Sequence, residues 1–440
     1  MILAWIIFIV YTAFALYDLK KAILIWMPVQ LLFNVQVAMR YASPALYLNL
    51  SVTMMLFLLY LIKGRNNRAF NKENFIFKPI LILNLISYAL SLMFSIVPFS
   101  EVMMETVRTF LNSFLFIYMF QKTLCTRKDV RLVYRASIVV IFIICLLGLY
   151  ESIVGDNPWL DYVYTHSSQE YERMYYIPGN VWRRFGMVRA YSVFYIHIAF
   201  GTTCVFLLFA IGTAYSHKWL GKKQLTLLIC ILLLVAGVFM SNSKTGLLGL
   251  VVMFFALVKF KYVFKPQYII PLVAILIGIF VAFPEYLNNF TSLFNEDAAE
   301  EGSGSTVDMR MVQFQVAFNL FNQSPVFGNG LGSISAMMNI GDNADILGSE
   351  SSWMKILPER GLIGAIAYVL SFFYMFKNFN DYIPKWQLMA FLASLLVMET
   401  ATGFMDMSLY GSVLILVRKA YMLNDNKNFK DNNLVEVKNK

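Results

Sequence analysis

Charged residues and histidines are both scarce in this sequence. Aspartate, glutamate, lysine and arginine make up 14% of its 440 residues, and only three histidines are present. Soluble globular domains carry about 25% charged residues, so this low charge excludes a water-soluble protein. The chain is instead 59% hydrophobic, which is typical of a polytopic helical membrane protein.

Cysteine is also rare, and it follows no chemical pattern. The four cysteines occur at neither disulfide nor metal-ligand spacings, which favours simple burial within helices for Cys125, Cys145, Cys204 and Cys230. We find no Gly-rich phosphate loop, no His/Cys metal cluster and no nucleophile elbow in the sequence. The sequence therefore predicts no metal site and no cofactor.

Apolar runs predict an all-α polytopic integral membrane protein with roughly 12–14 transmembrane helices. With the basic loop at residues 63–78 placed in the cytoplasm, most lysines and arginines fall on that side, and the other side is rich in Asp and Glu. This distribution follows the positive-inside rule. The net charge of +10 is therefore a feature of topology and does not indicate nucleic-acid binding.

The runs divide the chain into six segments. These are N-terminal transmembrane helices (1–150), an external loop (151–190), central transmembrane helices with a hairpin tip at Ser241–Gly246 (191–283), a large external loop with an amphipathic helix (284–352), C-terminal transmembrane helices (353–423) and a basic, Asn-rich cytoplasmic tail predicted to be disordered (424–440).

Three arginines stand at the end of the first external loop. Arg183, Arg184 and Arg189 lie within seven residues, at the entrance to the next span. Guanidinium groups match phosphate geometry, and Arg189 lies deepest, so we rank it first. The aromatic residues of the same loop suit stacking on sugar rings and an interfacial belt equally well.

The hairpin tip carries a single cation, Lys244, within the polar sequence Ser241-Asn-Ser243-Lys244-Thr-Gly246. One interpretation is an ordinary turn with an exposed lysine. The other is a second cation that shares a site with Arg189, where hydroxyl groups and a helix N-terminus help to hold an anion.

The late external segment supplies further candidates. Arg310 falls on the first turn of an amphipathic helix that could lie against the outer interface or the bundle. Its periodicity places Val312, Val316 and Leu320 near one apolar face, with Phe314, Ala317 and Phe321 beside them. Glu350 stands just before the next span, as a candidate general base or a simple helix-start acid. Arg360 could bind phosphate or pair with Glu359, and His197 could act as a base or bond to a neighbouring helix.

Three motifs occur in a recognisable order. They are Arg189-Ala-Tyr-Ser192-Val-Phe194, the Ser241-Asn-Ser243-Lys244-Thr-Gly246 tip, and Arg310 followed by Pro325-Val-Phe-Gly328-Asn-Gly330-Leu-Gly332, Glu350 and Gly361-Leu-Ile-Gly364. Together they resemble the O-antigen polymerase and ligase superfamily of bacterial envelopes, which includes the Wzy-type polymerases. Two positions depart from the pattern: Lys244 replaces an arginine, and Glu350 replaces the histidine of ligases.

This resemblance implies a GT-C-like glycosyltransferase in the bacterial plasma (inner) membrane. It would act without a metal on undecaprenyl-pyrophosphate-linked glycans at the outer leaflet, for O-antigen, capsule or exopolysaccharide synthesis. Implied partners are the lipid-linked donor and acceptor, membrane lipids, and the chain-length regulator and flippase of the pathway. Glu350 at the ligase histidine position favours a polymerase.

The resulting hypothesis assigns a role to each candidate. Arg189, Arg310 and Lys244, helped by Arg184, would hold the donor pyrophosphate, and Glu350 would activate the acceptor hydroxyl for inverting displacement. Arg360 and His197 are further candidates. The alternatives are an O-antigen ligase-type transferase and a flippase or transporter of lipid-linked oligosaccharides.

Overall fold

The computed structural model describes residues 2–33, 37–40, 46–64, 73–165, 183–184, 187–257, 307–334, 351–403 and 407–438. These residues are mostly helical. The helices are α1 Ile2–Tyr17, α2 Leu19–Val29, α3 Leu48–Leu59, α4 Lys78–Met93, α5 Phe99–Phe110, α6 Phe116–Thr123, α7 Arg127–Val154, α8 Pro158–Thr165, α9 His197–Ser216, α10 Gln224–Met240, α11 Lys244–Leu257, α12 Val307–Gln323, α13 Ser352–Phe379, α14 Lys385–Thr402 and α15 Met407–Lys438.

Short irregular elements connect some of these helices. Two antiparallel strand pairs occur, β1 Ala38–Arg40 with β2 Leu46–Tyr47 and β3 Arg183–Arg184 with β4 Met187–Val188. Short 3-10 turns span Gln30–Leu32 and Gly221–Lys223, and π-helical turns span Tyr60–Gly64 and Leu111–Leu115. The last of these joins α5 to α6 without a turn in the chain.

Three described helices are long and apolar enough to cross a bilayer: α7, α9 and α13. Shorter apolar helices of 10–17 residues match five further predicted spans at least in part: α1, α3 with its π turn, α4, α10 and α11. The chain is therefore a membrane protein rich in α-helix, as its composition predicts. The full count of roughly 12–14 spans stays a prediction, and the span near residues 267–283 lies outside the described residues.

Helix α9 forms the centre of the bundle and is almost wholly buried. Its Gly201 lies against Gly246 at the start of α11, and its Gly212 lies against Leu257 at the end of α11, so α9 and α11 run parallel. Glycines at these crossings let the two backbones approach closely.

Helix α14 runs in the opposite direction to α11. Its Phe391 contacts Phe206 and Phe209 in the middle of α9. Further along the same helix, Met398 lies against Gly249, one turn from the start of α11. The C-terminal end of α14 and the N-terminal end of α11 are therefore at the same end of the bundle.

Helices α4 and α13 form a second antiparallel pair. The Ser91 hydroxyl donates to the main-chain oxygen of Glu359, and the Asn84 amide donates to the Ser371 hydroxyl at 3.5 Å. At the other end, the rings of Phe77 and Phe379 pack against each other at a tilted angle, with centroids 5.5 Å apart. Since Gly403, just after α14, approaches the backbone of Ser352, α13 begins at the same end of the bundle as α11.

Helix α12 exists as predicted, and the structure confirms part of its predicted apolar face. Leu320 and Ala317 are buried and Val316 packs against them, whereas Val312 and Phe314 are 44% and 47% exposed. The apolar pattern did not separate packed from exposed positions completely, because a membrane protein also presents apolar side chains to lipid.

The sequence also made predictions for the four cysteines and for the C-terminal tail. Cys145, Cys204 and Cys230 are buried as predicted, and Cys125 is half-buried. The tail predicted to be disordered continues α15 to Lys438, since no glycine or proline interrupts it.

Candidate active site

Helix α13 is broken near its start. Gly361 adopts φ 62° and ψ −162°, which lies outside helical conformation, and Pro358 precedes it by three residues. A proline removes one helical hydrogen bond, and the break frees further carbonyl and amide groups. Within a membrane protein such backbone persists only where the protein satisfies it or where it lines a cavity.

The Pro/Gly segment at residues 324–332, here called the elbow, satisfies the break. On one side, the amides of Asn329 and Gly330 donate to the main-chain oxygens of Pro358 and Glu359, at 2.8 and 3.1 Å. On the other side, the freed amide of Leu362 donates to the Pro325 oxygen at 2.9 Å. The elbow therefore takes the place of the missing helical turn.

Two glycines make this contact feasible. Gly328 has φ 79°, and a Cβ there would lie 2.4 Å from the Glu359 carbonyl and the Arg360 amide nitrogen. A Cβ on Gly361 would lie 2.4 Å from the Val326 oxygen. Both positions combine positive φ with backbone contact, which accounts for glycine in each motif.

Glu359 fixes the next part of the elbow with its side chain. Its Oε1 accepts a hydrogen bond from the Gly332 amide at 3.0 Å, and it is 8% exposed. Asn329 adds a second clamp, because its side-chain amide donates to both the Leu320 and Pro358 oxygens, at 2.7 and 3.1 Å. Helix α12, the elbow and the broken helix thus form one bonded unit.

A cavity of about 750 Å³ adjoins the break, within the range of roughly 300–1,000 Å³ that is usual for small-ligand sites. Its walls carry two carboxylates, two cations and several hydroxyl groups. The lining residues are Ile80, Asn84, Tyr88, Val97, Thr109, Ser113, Phe114, Leu331, Gly332, Ser352, Lys355, Ile356, Glu359, Arg360, Tyr368, Ser371, Phe372, Met375, Glu399, Gly403, Met407 and Tyr410.

Arg360 is buried in the cavity wall at 7% exposure. Its Nη1 donates to Asn84 Oδ1 at 2.9 Å, and its guanidinium lies 4.8 Å from the centre of the Tyr88 ring. Both contacts come from α4, so the α4–α13 pair orients the guanidinium. Neither the Asn84 amide nor the Tyr88 ring neutralises the positive charge of the guanidinium.

The cavity wall also contains Glu399, which α14 supplies. The Tyr368 hydroxyl of α13 donates to Glu399 Oε2, and Trp353 packs edge-on against the Tyr368 ring at 5.1 Å. Glu399 is 6% exposed. The cavity therefore combines Lys355 and Arg360 with Glu359 and Glu399, all within the described residues.

Arg189 lies elsewhere, in the segment between β4 and α9. The Glu151 carboxylate at the end of α7 accepts from the amides of Tyr191 and Ser192, at 2.9 and 2.7 Å, and from the side-chain amide of Asn157 at 2.8 Å. Ser192 has φ 56°. Burial raises the pKa of the Tyr191 hydroxyl, and the charge of Arg189 acts against that rise.

The predicted hairpin tip joins the Arg189 segment. The Ala190 amide donates to the oxygen of Met240, the residue before the tip, at 3.0 Å. Arg189 is therefore the sequence neighbour of a residue that bonds beside the tip. Lys244 begins α11 and is half-buried. Since the α11 start and the Gly403 end of α14 lie at one end of the bundle, the tip is at the same end as Gly403 and Ser352 of the cavity wall.

Arg310 is half-buried on α12, which packs against α13. Arg189, Lys244 and Arg310 are not among the described residues that line the cavity, whereas Arg360 is. His197 begins α9, buried, with its ring 5.6 Å from that of Tyr191.

Two candidates have little or no described structure. Only the backbone of Arg184 is described, where it pairs with Met187. Glu350 lies outside the described residues, and the chain resumes at Ser351, whose neighbour Ser352 lines the cavity.

The sequence reasoning missed several polar residues of the cavity. Glu399, Asn84, Lys355 and Tyr368 were not among the predicted site residues. A signal was present for Glu399, because an ionisable residue within an apolar span is by itself a functional-site hypothesis. No comparable signal marks Asn84 or Tyr368.

Comparison with known protein families supports the resemblance found in the sequence. A family model described as O-antigen ligase matches residues 229–369, about a third of the chain. The match contains the 241–246 tip, Arg310, the elbow and the broken part of α13, and it confirms that this region is of the O-antigen polymerase and ligase type. No curated protein matches the chain.

Proposed function

We propose that this protein is a polysaccharide polymerase that joins undecaprenyl-pyrophosphate-linked repeat units at the outer leaflet of the bacterial plasma membrane. The growing glycan is transferred as a block, with inversion and without a metal. The proposed architecture is GT-C-like and crosses the membrane many times. Support comes from the O-antigen ligase family match and from the charged cavity at the helix break.

The observation that carries the proposal is the composition of that cavity. A diphosphate leaving group needs cations that stabilise its developing charge, and Arg360 and Lys355 are available in the wall. Glycan hydroxyls need acceptors and aromatic surfaces, which Glu399 and Tyr88 provide. The cavity therefore offers cations for the diphosphate and hydrogen-bond acceptors and aromatic surface for the sugar of a lipid-diphosphate-linked glycan.

The proposal gives the other cations a role in holding the donor. Arg189 and Lys244 would contact the diphosphate from the tip side, helped by Arg184, and Arg310 would do so from α12. The hydrogen bond between Ala190 and Met240 links the first two segments. Both segments lie at the same end of the bundle as Gly403 of the cavity wall. A donor lipid that enters the cavity from this end would need positive charges to hold its diphosphate.

Glu350 is the proposed general base for the acceptor hydroxyl. It is two residues from Ser352 of the cavity wall, and two residues span at most about 7 Å of chain. Removal of the hydroxyl proton would accompany attack on the anomeric carbon, while the C–O bond to the diphosphate breaks and the diphosphate leaves with the electron pair. A single displacement of this kind inverts that carbon.

A polymerase fits better than a ligase because Glu350 occupies the position at which the resembling ligases carry histidine. The ligase and transporter alternatives predict different products. A ligase would attach finished glycan to a second lipid acceptor, and a transporter would move repeat units without joining them. These products separate the three functions.

The test is complementation of a deletion strain with single variants, scored by glycan chain length on gels. We expect Arg189→Ala, Arg310→Ala, Lys244→Ala and Glu350→Gln to leave mostly single repeat units, while the control Arg135→Ala, at an exposed position of α7 that does not line the cavity, restores full chains. Immunoblots verify equal protein amounts. Normal chain length in Arg189→Ala and Arg310→Ala cells with normal protein levels would refute the mechanism. Repeat units retained on the inner leaflet would indicate transport instead.

A further inference from the structure

Glu399 and Tyr368 line the cavity from two different helices, and neither takes part in the displacement step outlined above. Their hydrogen bond joins α14 to α13, and both side chains line the cavity. The charge of Arg360 acts on both groups. The three side chains therefore form one cluster on the cavity wall.

A purely structural role explains this cluster poorly. A carboxylate that is 6% exposed within a membrane protein loses its hydration, and a well-packed apolar side chain is often at least as stable in such a place. Neighbouring Met398 and Leu395 fill the α14 interface without any charge. The carboxylate is thus better explained by a ligand than by packing.

The cluster also retains hydrogen-bonding capacity. A carboxylate has about four lone-pair sites on its two oxygens, and Tyr368 is its hydrogen-bond donor among the described residues. The tyrosine oxygen can itself accept a bond. Two or more acceptor positions therefore remain beside the Arg360 donors, and Phe372 and Tyr410 supply apolar surface in the same wall.

We propose that Glu399, oriented by Tyr368, binds hydroxyl groups of the acceptor saccharide. The ligand class is a neutral, hydroxyl-rich sugar at the end of the acceptor repeat unit. Hydrogen bonds from sugar hydroxyls to a carboxylate are charge-assisted and roughly twice as strong as neutral ones. This assignment rests on the proposed glycan-transfer function and gives the cavity a subsite separate from the diphosphate cations.

The location of the subsite suits an acceptor. Gly403, one turn beyond Glu399, approaches the backbone of Ser352, and the proposed base Glu350 precedes Ser352 by two residues. A sugar bound at Glu399 would therefore present its nucleophilic hydroxyl beside the segment that carries the base. Glu399 is in this account a binding and positioning group, and no proton passes through it.

Two probes separate this subsite from the diphosphate site. The first is the free repeat-unit oligosaccharide, released from its lipid by mild acid, and the second is inorganic pyrophosphate. Binding of each to the full-length protein in nanodiscs is measured by thermal shift. We expect Glu399→Gln to weaken oligosaccharide binding about tenfold and not to weaken pyrophosphate binding, because the substitution removes a negative charge beside Arg360.

Matched variants keep the result interpretable. Tyr368→Phe retains the ring against Trp353 and should weaken oligosaccharide binding several-fold, so it serves if Glu399→Gln does not fold. Ser394→Ala is the control on α14, because that buried hydroxyl donates to the Gly249 oxygen at 2.9 Å and not to the cavity. It should bind both probes normally.

Kinetics provide the second readout. Loss of ground-state sugar binding should raise KM for the lipid-linked repeat unit while kcat at saturation changes little. Equal oligosaccharide affinity in wild type and Glu399→Gln, or no oligosaccharide binding to wild type at millimolar concentration, would overturn the subsite. If binding follows the prediction but wild type forms no polymer, the subsite stands and the polymerase function is wrong.

Discussion

The main-chain oxygen of Glu359 accepts a hydrogen bond from the Gly330 amide at 3.1 Å. This bond joins two sequence motifs that are separated by a long polar loop, the elbow and the Gly361-Leu-Ile-Gly364 segment. Together with the bond from the Leu362 amide to the Pro325 oxygen, it connects the elbow to both sides of the break in α13, which forms part of the cavity wall. The cavity with Arg360 and Glu399 depends on that wall.

Gly361→Ala should strongly reduce the amount of folded protein. Its conformation is accessible essentially to glycine alone, at a cost of about 1–3 kcal/mol for other residues, and a Cβ would also strike the Val326 oxygen at 2.4 Å. Gly221→Ala is the control, with φ 60° but no described atom within 4 Å of the new Cβ. Thermal unfolding in detergent that shows equal losses for the two variants would contradict the described contact.

Two serines on α4 provide a matched pair for the α4–α13 contact. Ser91 and Ser87 are each 1% exposed, but Ser91 donates to Glu359, whereas Ser87 Oγ has no hydrogen-bond partner among the described residues. Ser91→Ala should lower the free energy of unfolding by about 1 kcal/mol, and Ser87→Ala should leave it unchanged or raise it. The reverse order of stabilities would show that the helices pair differently.

Glu151 should influence activity through Arg189. Glu151→Gln removes the charge from the carboxylate that accepts two hydrogen bonds from the segment after Arg189, so we expect chain elongation to slow about tenfold. In the double variant with Arg189→Ala, the rate should equal that of Arg189→Ala alone. Additive losses would show that Glu151 acts independently. Ser152→Ala, whose hydroxyl bonds only to Gly148 of its own helix, is the control.

Arg360→Lys should impair activity despite retaining the charge. Lysine cannot stack a planar group on Tyr88 while it also bonds to Asn84, so we expect the rate of polymerisation to fall at least tenfold. Arg108→Lys tests the same substitution away from the cavity, where the guanidinium lies 5.7 Å from the Tyr47 ring. Similar rates for both variants and wild type would remove Arg360 from the site.

Local patterns in the sequence anticipated many of the elements but not how they assemble. Apolar runs located most of the helices, and the motifs identified the elbow and Gly361. Nothing in the sequence shows that these two segments bond to each other, because the loop between them carries no periodic signal. The sequence also does not show that Glu399 lines the cavity, since this depends on the antiparallel direction of α14 relative to α11.

The buried face of α12 illustrates a second limit. Hydrophobic periodicity indicates which face avoids water, but in a membrane protein both lipid and protein offer apolar surroundings. Of the predicted apolar positions, Leu320 and Ala317 are therefore buried while Val312 and Phe314 are exposed, and the polar Gln313 is buried beside the first two. Whether a polar residue of a helix is buried can be determined only when the positions of the neighbouring helices are known.

Reconstitution tests the central claim most directly. Purified protein in liposomes is given the undecaprenyl-pyrophosphate-linked repeat unit from a deletion strain, and the number of repeat units per lipid is measured by mass spectrometry. The account predicts lipid-linked glycans of two and more repeat units with release of undecaprenyl pyrophosphate, and loss of both products in Arg360→Ala. Unchanged single repeat units with the wild-type protein would contradict it.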